Sequence, residues 1–100
     1  MTKIYKHPES PDEIYGLDRI YYLNIDKAWY WYKTEPYAGH GTILMKRGNL
    51  WSIDDLGHCS CNGPADNISF DGVLLKDLKI KHSAELMGNA GKLLKMARKS

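Results

Sequence analysis

A chain of 100 residues that is 43% hydrophobic and 26% charged fits one globular domain with its own core, not a disordered tract. No apolar run approaches the ~20 residues of a membrane span, and the opening residues MTKIYKHPES lack the apolar centre of a secretory signal. The expected compartment is therefore the cytoplasm, where two cysteines are thiols more often than a bridge.

The net charge of +2 conceals an asymmetry. Residues 76–100 carry seven Lys/Arg against Asp77 and Glu85, whereas residues 1–75 carry seven basic and ten acidic side chains. Aromatics run the other way, with Phe70 alone beyond Trp51. An aromatic, mildly acidic body thus precedes a basic tail. Such a tail either contacts nucleic acid or an acidic protein face, or forms the solvated side of an amphipathic helix.

Residues 1–17 hold Pro8, Pro11 and Gly16 and are expected to be mostly irregular. DRIYYLNI and AWYWYKT are rich in β-formers and separated by a few residues around Asp26, which predicts a hairpin near 18–34. Alternation in its second strand puts Trp29 and Trp31 on one face and Tyr30 and Tyr32 on the other. EPYAGHG, 35–41, reads as a loop by its proline and two glycines. A second hairpin near 42–54 follows, with TILMK and LWSID flanking RGN, whose glycine suits a left-handed turn position. Residues 68–78 fit either a short strand pair or a strand leading into a helix. Ser83 is a candidate N-cap for a helix over about 84–98. Leu86, Met87, Ala90, Leu93, Leu94 and Ala97 recur there at helical spacing as one apolar stripe, with Lys92, Lys95 and Lys99 opposite. Gly88 and Gly91 weaken that helix, so it should depend on docking to the sheet. The fold class expected is α+β: a single domain, 1–100, with an antiparallel sheet of about four strands and a C-terminal amphipathic helix.

Candidate chemistry is sparse. Tyr21, Tyr22, Trp29, Tyr30, Trp31 and Tyr32 exceed what one small core face absorbs, so some are expected at the surface as a stacking platform or a protein interface. Tyr22, Trp29, Tyr30, Trp31, Tyr32, Tyr37 and His40 are the candidate binding residues. Gly39 and Gly41 around His40 also fit a plain flexible turn. His58, Cys59 and Cys61 in LGHCSCNGP are candidate metal ligands, since thiolates suit zinc, but a closed site needs four ligands and no second Cys pair exists. The same thiols could form a strained bridge or a nucleophile with a nearby histidine, yet two packed thiols beside a turn explain them more simply. No cofactor is expected, with zinc as the exception to test. MGNAGKLL lacks the first glycine and the Ser/Thr of a phosphate loop.

Across GHGTILMKRGNLWSIDDLGHCSCNGP the chain resembles a group of small, mostly bacteriophage proteins that carry a segment like DLGHCSCYGP, with Asn62 here where an aromatic is common. The resemblance implies phage context and assigns no role to His58, Cys59 or Cys61. Three functions follow as expectations. The first is a non-enzymatic binding module, an inhibitor of a host or defence protein that acts through the aromatic hairpin and is able to self-associate into a homo-oligomer. The second is a binder of nucleic acid or nucleotide that uses aromatic stacking and the basic tail. The third is a zinc- or thiol-dependent protein built on the HCSC segment. None of the three requires a membrane.

Overall fold

A computed structural model describes residues 4–6, 23–35, 38–58 and 68–99. Four antiparallel strands, β1 (Tyr5–Lys6), β2 (Lys27–Glu35), β3 (Ala38–Arg47) and β4 (Leu50–His58), lie side by side in chain order. Helices α1 (Leu75–Lys81), α2 (Ser83–Leu86) and α3 (Asn89–Lys99) follow, giving the expected α+β architecture.

β2 is the centre of the molecule because it is apolar on both sides. Trp29 and Tyr30 are consecutive, face opposite ways and are 1% and 0% exposed. On one face Trp29, Leu44, Trp51 and Ile53 pack under Leu78, Ala90, Leu93, Leu94 and Ala97 of the helices. On the other face Ala28, Tyr30, Ile43, Met45 and Leu56 pack with Ile68, and Tyr5, Leu23, Ile25 and Phe70 close over them. The predicted alternation of Trp29 and Trp31 against Tyr30 and Tyr32 holds. Tyr5, opposite Tyr30 in the register, stacks on it at 5.4 Å, and Trp29 stacks on Trp51 at 6.3 Å.

The second strand of the hairpin expected over 18–34 is β2. Of its first strand, 18–22 lie outside the described residues, and Leu23–Asp26 form a turn and bend. The described partner of β2 on that side is Tyr5–Lys6. Asn24 takes a positive φ of 57°. Arg47 donates to the carbonyls of Leu23 and Asn24 and lies over the Phe70 ring at 4.3 Å. The Gly48 N–H donates to the Asp26 carboxylate at 2.7 Å. This turn is thereby tied to the far end of the second hairpin. There Gly48, with φ 58°, occupies the left-handed position expected of it in a two-residue loop between Arg47 and Leu50.

EPYAGHG is not a loop over its whole length. β2 runs to Glu35 and β3 starts at Ala38, with Lys33 opposite His40 and Tyr32 opposite Gly41; Pro36 and Tyr37 lie outside the described residues. Gly41 marks a close approach of two backbones, since a Cβ there would stand 2.1 Å from the Trp31 carbonyl oxygen.

Residues 68–78 are an extended segment leading into a helix. Ile68 and Phe70 belong to the face away from the helices, Val73 and Leu75 to the helical face. The chain therefore crosses the edge of β4 between them. It is pinned by Asp54 accepting from the Ser69 N–H at 2.8 Å, Ser52 Oγ accepting from the Asp71 N–H at 3.2 Å, and reciprocal bonds between Trp51 and Val73. Gly72 stands at the crossing, where a Cβ would lie 2.6 Å from the Phe70 ring. Lys81 of α1 reaches back to Asp71. Its hydrogen bond, then its charge, hold that carboxyl below the usual carboxylate range.

The helix expected over 84–98 is parted at Met87–Gly88 into α2 and α3. Ser83 opens α2, with His82 in the cap position and no side-chain cap bond there. The break lets α2 fold back so closely that a Cβ on Gly91 would stand 2.1 Å from the Leu86 carbonyl oxygen. At Gly88 the nearest such atom is 3.6 Å away. Gly91→Ala should therefore lower stability by about 1–3 kcal/mol through overpacking. Gly88→Ala should be neutral or raise it by up to ~1 kcal/mol by restricting the unfolded chain. Urea unfolding midpoints check both, and a Gly91→Ala protein as stable as its parent would refute the tight α2–α3 approach.

Candidate functional site

The sheet spends most of its aromatic side chains on the core. Trp29 and Tyr30, expected as binding residues, are interior on opposite faces and offer no surface to a partner. Two aromatic rings cannot both be buried and stack on a ligand; the surplus that suggested exposure is absorbed because both faces of the sheet are covered. Trp31 and Tyr32 are half-buried. Of the predicted set, Trp31 and His40 come together, ring edge to face at 5.7 Å, beside Lys33, Thr42 and Asp55 on the helical side of the sheet. Tyr32 faces the other way. That patch is small and of mixed charge. The Trp31 indole N–H is buried there with no hydrogen-bond partner among the described residues. Tyr22 and Tyr37 lie outside the described residues.

His58 ends β4 opposite Gly39, and Cys59 and Cys61 lie outside the described residues. Among the described residues no three His, Cys, Asp or Glu side chains gather closely enough to hold a metal ion. No helix of the described residues is long and apolar enough to cross a membrane.

A concavity lies on the outer side of the helices. α1 turns Leu75 and Leu78 to the sheet, so Lys76, Lys79 and Ile80 face solvent. α3 buries Ala90, Leu93, Leu94 and Ala97 and turns Lys92, Lys95, Arg98 and Lys99 outward. Between α1, α2 and α3 runs a groove of about 650 Å³. Leu86, Leu94 and Gly91 form its apolar floor, and Met87 stands over it with 90% of its surface exposed. Lys79 and Ser83 line one bank, and Lys95, Arg98 and Lys99 the other. No carboxylate and no aromatic ring lines the groove among the described residues. The nearby Glu85 carboxylate lies 3.6 Å from His82 Nδ1.

Met87 was expected on the buried stripe with Leu86 and Ala90. The break after it rotates it into solvent, which Gly88 could have signalled. Lys95 and Lys99 belong to the basic face read from the residues. Their convergence with Lys79 is not legible there, because it depends on where α1 and α3 are each placed on the sheet.

The groove is surface and not scaffold. Met87→Ser and Lys95→Gln should each change stability by no more than ~0.5 kcal/mol, whereas Leu93→Ala beneath it should cost about 2–5 kcal/mol. Thermal unfolding of the three variants checks this contrast, and a Met87→Ser loss as large as that of Leu93→Ala would make Met87 part of the core. No protein-family model, no curated protein and no solved structure matches the chain.

Proposed function

We propose that this chain is a non-enzymatic protein-binding module, and that it engages its partner through the cationic groove between α1, α2 and α3 instead of the aromatic hairpin. The observation that carries this is the combination of an apolar floor, an exposed Met87 and four cationic side chains with no carboxylate among them. Apolar contact area supplies affinity, while charge of one sign supplies steering and selects the partner. Methionine is a favoured side chain for such surfaces because its unbranched thioether repacks against different shapes. The likeness of Leu56–Pro64 to small bacteriophage proteins extends the proposal to an inhibitor of a host or defence protein.

A nucleic-acid partner would call on the same cations. Single strands, however, are held by bases stacked on aromatic rings as well as by charge. The described rings that reach the surface, Tyr5, Trp31, Tyr32 and Phe70, do not line the groove. Protein is accordingly the favoured class.

Photo-cross-linking tests the proposal. Benzoylphenylalanine in place of Met87, in the cells that produce the protein, should yield a discrete product that survives nuclease, contains a second polypeptide and fades in a Lys95→Glu/Arg98→Glu background. The same probe in place of Lys33, on the sheet, should yield none. A nuclease-sensitive product at Met87 would transfer the groove to nucleic acid. A product at Lys33 alone would return the interface to the hairpin.

A further inference from the structure

We infer that the occupant of the groove is an acidic amphipathic helix of the partner, an inference that rests on the protein-binding proposal above. Charge complementarity and shape carry it. The cations stand on both banks, Lys79 from α1 on one side and Lys95, Arg98 and Lys99 from α3 on the other, with leucine and methionine between them. The matching surface is an apolar ridge flanked on both sides by carboxylates. An amphipathic helix presents such a surface, with apolar residues at i, i+3, i+4 and i+7 and acidic residues beside them. Lys95 and Lys99 are four residues apart on α3 and so stand one turn from each other, as do carboxylates four apart on a docked helix.

An acidic partner meets the rim cations with an attraction that salt screens. A flat anionic membrane surface would meet the rim cations without filling the floor. An oligonucleotide would meet them without an aromatic ring to stack on.

The test is an anisotropy titration of the full chain against a labelled synthetic helix with leucine at i, i+3, i+4 and i+7 and glutamate on its flanks. The expected result is saturable binding, weakened roughly tenfold or more by scrambling the leucine spacing or replacing glutamate with lysine. Lys95→Glu/Arg98→Glu should weaken it by a similar factor, and so should raising salt from about 0.05 to 0.3 M. Met87→Asp should weaken it as well, while Lys33→Glu should leave it unchanged. Circular dichroism confirms that each variant is folded. Absent binding, binding indifferent to the groove variants, or tighter groove-dependent binding to a thymidine oligonucleotide or to phosphatidylglycerol vesicles would overturn the inference. The two proposals fail separately. If cross-linking at Met87 captures a polypeptide but the acidic helix does not bind, the protein-binding module stands and its acidic-helix occupant falls. If cross-linking also yields no polypeptide, both fall.

Discussion

Everything in this structure answers to two neighbouring side chains, Trp29 and Tyr30, which are both buried and point in opposite directions. Full burial of a large apolar side chain stabilises by about 1.5–3 kcal/mol, so neither face of β2 can be left to water without a large loss. Among the described residues the helices cover the Trp29 side. The Tyr30 side, with Ile43 and Met45, is roofed by irregular chain: Leu23 and Ile25 from one segment, Ile68 and Phe70 from another, and Tyr5 from the short edge strand. Irregular cover needs fixed anchors, because its backbone polar groups have no ladder of their own. Arg47, Asp54 and Ser52 supply them by bonding the main chain of those segments, and Asp26 by accepting from the Gly48 N–H of the hairpin turn.

The same constraint routes the chain. After roofing the Tyr30 face, residues 68–73 must cross the edge of β4 to bring the helices to the Trp29 face. The crossing puts Gly72 against Phe70 and Leu50, leaving no room for a side chain there. Val73 then pairs with Trp51 and α1 begins two residues later. The position of α1, and so of Lys79, is a consequence of where the strip leaves the sheet edge. The groove thus inherits its geometry from the need to cover Tyr30.

Patterns set by one element were legible in the residues. Alternation in AWYWYKT assigned Trp29 and Tyr30 to opposite faces, RGN announced the left-handed glycine, and Leu93, Leu94 and Ala97 marked the docked side of α3. Patterns that need a second element were misread. Gly39 and Gly41 look like loop residues until the Trp31 carbonyl is placed against Gly41. Leu86 through Ala97 look like one helix until the Leu86 carbonyl is placed against Gly91. Glycine has one appearance in sequence and two physical causes, freedom of φ and lack of a Cβ, and only the neighbour tells them apart. The aromatic surplus exceeds what one core face can take, but this sheet buries side chains on two.

The cations divide into two populations by their partners. Lys46 lies over the Trp51 ring at 5.1 Å, Arg47 spans two carbonyls and the Phe70 ring, and Lys81 pairs with Asp71. Each of these holds one covering segment or hairpin end to another, and its charge is spent inside the molecule. Lys79, Lys95, Arg98 and Lys99 surround an apolar floor that no carboxylate lines among the described residues. A lone exposed methionine or a lone surface lysine needs no explanation. Met87 raised into solvent beside four cations that line the same groove is different, because apolar area and charge of one sign stand together there, and it is on that combination that the binding proposal rests.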